Sequence, residues 1–160
     1  MNNFVSAIGL VLFVVHSSAA QAAQGMASIT ASQVAKIEAS LNLAGAESDL
    51  KTAVEEAAPN ISSFVKINSC LAGYNGSALN AFAAPGKSYP NNNYIGGPMP
   101  TMYKHSKAAC ATVLRIHGWS MPSKNSLRFE VVYTAEDSGE SGKTEHEMQR
   151  QAGGEWLFTR

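Results

Sequence analysis

The hydrophobic pattern of this chain changes period once, and that change sets the fold class. Before residue 85, apolar residues recur every three to four positions, the spacing of one helix face. After residue 107 they alternate, the spacing of a half-buried strand. Val34, Ile37, Leu41 and Ala44 form a first helical stripe, opened by Thr30 and Gln33 as a capping box and ended by Gly45. A second helix starts near Ser48 with Leu50, Val54, Ala57 and Ala58, and Pro59 stops it because proline lacks an N–H. A third carries Ile61, Phe64, Ile67 and Leu71 and ends at Gly73, and Leu79 and Phe82 fit a short fourth turn.

In the second half, Val113, Arg115, His117 and Trp119 fall on one face of a strand, and Thr112, Leu114 and Ile116 on the other. Leu127, Phe129, Val131 and Tyr133 alternate with Arg128, Glu130, Val132 and Thr134, with a turn near Met121-Pro122-Ser123. Residues 143 to 151 alternate more weakly, through Thr144, His146, Met148 and Arg150. Gly153-Gly154 then turns the chain into a last short strand, Glu155 to Phe158. The expected architecture is α+β, with N-terminal helices packed on one face of a four-stranded antiparallel β meander.

Between the two halves, residues 85 to 100 hold Pro85, Gly86, Pro90, Gly96-Gly97, Pro98 and Pro100, which leave little room for a regular element. Structureless stretches of this length are often functional. This one carries Tyr89 and Tyr94, with Tyr103 just beyond, and reads as a covering loop or a partner-binding lid.

The N-terminus has the layout of a secretory signal peptide. Phe4 to Val15 is uncharged and apolar, and small residues follow up to Ala20-Gln21-Ala22. The run falls short of the roughly 20 apolar residues that span a bilayer. Cleavage before Ala23 leaves residues 23–160 as one domain, periplasmic or secreted, with no membrane attachment. Formal net charge is zero and the basic residues are scattered, which argues against a nucleic-acid partner. In an oxidising compartment the two cysteines, Cys70 and Cys110, are expected to pair. No Cys-x-x-Cys or His-x-x-x-His spacing marks a metal site, and no cofactor motif is complete.

Partial motifs fail on chemistry. Asp137 to Thr144 resembles a P-loop in Gly142, Lys143 and Thr144, but Asp137 replaces the first glycine and would repel phosphate. Ser63 to Lys66, Ser123 to Asn125 and Lys143-Thr144 resemble the boxes of penicillin-binding proteins and serine β-lactamases, yet Glu145 stands where that family has glycine. The chain is also about half the length that fold needs. Of the histidines, His105 reads as a surface residue, His117 as half-buried beside Trp119, and His146 as a strand residue on a wet face.

The order of elements, closing on Gly154-Glu155-Trp156-Leu157-Phe158, resembles the NTF2-like (cystatin-like) superfamily of curved-sheet cones. The resemblance rests on architecture over residues 31 to 159 and implies a pocket between sheet and helices. No catalytic set is assigned. The function expected is a non-catalytic exported domain that binds a partner protein or small ligand, an inhibitor or immunity-type protein being one form. Its surface would be Arg115, His117, Trp119 and Tyr133 on the concave sheet face, with Tyr89, Tyr94 and Tyr103 from the loop. The alternative is a small enzyme of isomerase, dehydratase or hydrolase type, with His117 or His146 as acid or base in a cone pocket.

Overall fold

The computed structural model describes residues 28–70, 76–88, 102–106 and 109–160. The expected leader, Tyr89 and Tyr94 lie outside the described residues. Two helices, α1 (Ala31–Ser40) and α2 (Ser48–Ser69), and a 3-10 turn (Gly76–Phe82) precede four strands: β1 (Thr112–Ser123), β2 (Ser126–Thr134), β3 (Ser141–Arg150) and β4 (Trp156–Phe158). The strands form one antiparallel sheet in sequence order. The α+β plan read from the periodicity is therefore the plan of the molecule.

Helix α1 starts as expected, with the Thr30 hydroxyl accepting from the Gln33 backbone N–H at 3.3 Å. Only half of the capping box forms. The Gln33 amide instead donates to the Thr112 hydroxyl at 2.7 Å, which donates to Glu136 at 2.9 Å. A cap residue has become a tie between helix and sheet. The helix ends at Ser40, and Gly45 takes a left-handed conformation in the turn that follows.

The two helices expected on either side of Pro59 are one, because α2 runs through the proline. A proline inside a helix costs about 3 kcal/mol. Against this, Val54, Ala57, Ile61, Phe64 and Val65 bury one continuous stripe, while Pro59 itself faces solvent. Each large apolar side chain fully buried contributes roughly 1.5–3 kcal/mol. Packing along the stripe therefore outweighs the missing hydrogen bond, and the helix continues.

The first turn of the sheet also moves. Strand β1 extends through Pro122, and Lys124-Asn125 makes the turn. Proline is tolerated there because β1 lies at the sheet edge, where an N–H can be missing without breaking a ladder. The register of β1 against β2 slips between Val113 and Arg115 and again between His117 and Ser120, where Gly118 has φ +68°. At the other edge, the Ala84 N–H donates to the Phe158 carbonyl at 2.8 Å and covers β4.

Cys70 at the end of α2 is disulfide-bonded to Cys110, just before β1. Beside it the Ala111 N–H donates to the Ser69 carbonyl at 2.8 Å, so the junction of helix and sheet is held twice. Replacing both cysteines by alanine is expected to lower unfolding stability by up to about 4 kcal/mol, the chain-entropy value for a crosslink of this span. Chemical denaturation of the double variant beside the parent checks this, and an unchanged midpoint would refute it.

Candidate functional site

The loop joining β2 to β3 is acidic and rich in turn residues, and its carboxylates are used internally. Gly139, at φ +71°, lets the chain reverse, with its N–H donating to the Ala135 carbonyl at 2.8 Å. This points Asp137 and Glu140 at residues 104–106. The Lys104 and His105 backbone N–H groups donate to one oxygen of Glu140, each at 2.9 Å, and the Ser138 hydroxyl donates to the same oxygen at 2.9 Å. The Ser106 N–H donates to Asp137 at 2.8 Å, and His105 Nδ1 lies 2.6 Å from the other Asp137 oxygen. A run of consecutive amide donors around carboxylates is an anion nest filled by the protein's own side chains.

The electrostatics match the geometry. The His105 hydrogen bond, then the Ser106 amide, holds the Asp137 carboxyl below its usual range. Burial pushes Glu140 up, but the Ser138 hydroxyl and the backbone amides of residues 103–105 outweigh it and leave it lowered. An ionised Asp137 can only accept, so the proton sits on His105 Nδ1. His105 is buried, with Nε2 left without a hydrogen-bond partner, and is not the surface histidine expected. Tyr103, by contrast, stands 89% exposed at the start of this clamped segment.

The strand residues expected to share a concave face are divided between the two faces. Tyr133 and Trp119 are on the helix side: Tyr133 is buried, and the Trp119 ring packs 4.8 Å from Phe129. His117 is on the outer side, its Nε2 at 3.0 Å from Glu130, and the Glu130 carboxylate accepts from Lys143 at 2.7 Å. Arg115 is exposed opposite Val132 on that same outer side. The slips in β1 cause the split, since moving one residue along a strand exchanges its faces. Leu114, beside the first slip, is turned outward and 48% exposed.

His146 is on neither a wet face nor near His117. It pairs with Phe129 and is enclosed by Phe64, Phe129 and Phe158 at ring distances of 5.1, 5.5 and 5.6 Å. Nε2 lies 2.9 Å from the Thr144 hydroxyl, and on the same side of the sheet the buried Tyr133 hydroxyl accepts from Asn68 at 3.3 Å. Burial pushes the His146 imidazole down to about 4, so it is neutral at pH 7. Since Glu130 and Phe129 point to opposite faces, so do His117 and His146, and no two-imidazole acid–base pair forms. The P-loop-like stretch is likewise dispersed, with Lys143 on Glu130, Thr144 in the core, and Asp137 on His105. Among the described residues no cluster of His, Cys, Asp and Glu is arranged to hold a metal.

Two measurements check these assignments. His146 has a lowered folded pKa, so its contribution is complete above its unfolded value of 6.5 and is lost as pH falls toward about 4. That loss is about 3 kcal/mol, and the slope is expected to vanish in His146→Gln when unfolding is followed across that range. The Asp137 and Glu140 carboxyls are lowered, so the clamp is intact above the ordinary carboxylate range and released as pH falls below it. The protection of the Lys104, His105 and Ser106 amides against hydrogen exchange, relative to the intrinsic rate at each pH, is expected to fall in acid before that of the core amides does. Simultaneous loss of protection would show that the clamp is not a separate unit.

No helix among the described residues is long and apolar enough to cross a membrane. No protein-family model, no curated protein and no solved structure matches the chain, so function has to be argued from the geometry of its sites.

Proposed function

We propose that residues 23–160 are a non-catalytic binding domain that acts outside the cytosol and engages a partner protein through the β2–β3 hairpin end of the sheet. The observation that carries this is the placement of Tyr103 and Leu114, the two exposed large hydrophobic residues among those described. Tyr103 adjoins the segment clamped by Asp137 and Glu140, and Leu114 lies near the start of β1, where Thr112 pairs with Thr134 beside that hairpin. Both therefore sit toward the same end of the sheet. A tyrosine on a segment already ordered by hydrogen bonds loses little entropy on binding, which is what an interface anchor requires.

The disulfide supports an oxidising compartment, as the leader-like N-terminus does. The helix-plus-meander order is compatible with the curved-sheet superfamily named above. The enzymatic alternative draws no support from the histidines, which are divided between the two faces of the sheet.

A photo-crosslinking residue placed at 103 or 114, in the native compartment, is expected to give a discrete adduct. The same residue at Glu155, by the opposite turn, is expected to give none. With the probe at 114, Tyr103→Ala should reduce the adduct without shifting the melting temperature. Equal adducts from 155, or none from 103 and 114, would overturn this assignment.

A further inference from the structure

An open groove of about 610 Å³ lies between the two helices at the C-terminal end of α1, lined by Glu38, Leu41, Asn42, Glu55, Ala58, Pro59 and Ser62. That volume is in the range of small-molecule sites. Four of its features are of the same electrostatic sign. Glu38 lies in the last turn of α1, where exposed carbonyl groups favour a cation, and that turn has no basic residue. Glu55 brings a second carboxylate. Its backbone carbonyl also lacks a helical donor, because residue 59 is proline. The nearest cations reach these carboxylates loosely: Lys66 to Glu38 and Lys51 to Glu55, both at 3.9 Å.

Ser62 supplies an independent sign of a ligand. It is 9% exposed and lines the groove, and its hydroxyl takes part in none of the hydrogen bonds among the described residues. A helical serine of this kind commonly bonds back to a carbonyl one turn earlier, as Ser40 does to Lys36. The Ser62 oxygen is not among the polar atoms sealed from solvent, so the hydroxyl opens on the groove, where a bound nitrogen can take the place of water. Leu41, Ala58 and the Pro59 ring give the groove apolar walls between the two carboxylates.

We propose that this groove binds an organic cation, a primary ammonium or guanidinium on a short apolar body. The carboxylates and the α1 terminus attract the charge, the apolar walls take the hydrocarbon, and Ser62 hydrogen-bonds the nitrogen. The site does not depend on the hairpin-end surface, since it lies at the opposite end of α1 from the Gln33–Thr112–Glu136 tie.

The test is an NMR titration of the disulfide-bonded protein at low ionic strength with hexylamine, and with hexanol as its uncharged counterpart. Hexylamine is expected to give saturable shifts at the amides of Leu41, Asn42 and Ser62, with a Kd of about 1 mM or tighter. Hexanol should bind more weakly. Glu38→Gln and Glu55→Gln should each weaken the amine roughly two- to fivefold, and Lys66→Gln should tighten it by a similar factor by removing a competing charge. Ser62→Ala should weaken it about tenfold. Agmatine and a blocked arginine tripeptide, run in parallel, distinguish a free amine from a partner's basic side chain by which binds more tightly. Equal binding of hexanol, absence of saturable shifts, or unchanged affinity in the Glu38→Gln/Glu55→Gln double variant would overturn the proposal. None of these substitutions removes a core side chain, so a failure to bind is read on folded protein.

Discussion

The contact on which the rest of the molecule depends is the stack of Phe64 on Phe158, with ring centroids 4.0 Å apart and planes 19° from parallel. It joins the C-terminal third of α2 to the last strand. Phe82 meets Phe64 edge-on at 6.1 Å and brings the 3-10 turn to the same point, where His146 and Phe129 close the ring of aromatics. Each aromatic pair of this kind is worth roughly 0.5–1.5 kcal/mol beyond the area it buries. The sum is enough to carry a proline within α2 and a neutral histidine within the core.

That core leaves its polar groups little freedom. Asn68 donates to Tyr133, and the Thr144 hydroxyl meets His146, so the buried imidazole serves as a packed, uncharged ring. Buried polar pairs of this kind favour one register, since slipping it would break both and strand further polar atoms away from water. Histidine in such a place is structural, and chemistry has to be sought elsewhere on the surface.

Two surfaces offer it, and they differ in kind. At the hairpin end, acidic side chains are spent on backbone amides, so an apolar tyrosine is what the region presents to solvent. In the helical layer, acidic side chains remain weakly compensated around a groove. Lys143 and Glu130, Arg128 and Glu147, and Arg150 and Glu56 pair at 2.7 to 3.0 Å, whereas the groove pairs at 3.9 Å and Arg160 with Glu145 at 3.7 Å are looser. Exposed pairs of this type contribute little to stability, so their arrangement is free to follow function.

The helical spacing of Val54, Ile61 and Phe64, the alternation of Leu127 through Tyr133 and the pair of cysteines determined the fold class, the strand order and the disulfide without any coordinates. These are local periodicities and a local redox chemistry, and both are carried by residue type. Four matters were decided only by tertiary structure: whether α2 survives Pro59, where β1 slips, which way His146 points, and what Asp137 and Glu140 bind. Each depends on a partner far along the chain. Packing energy against the sheet outweighs a local helix breaker, a bulge exchanges the faces of Arg115 and His117 from those alternation assigns, and the carboxylates find amide donors more than thirty residues away. The one available hint was Met148, two residues from His146 and therefore on its face. The groove beside Ser62 left no trace in the sequence, because it exists only where two helices meet.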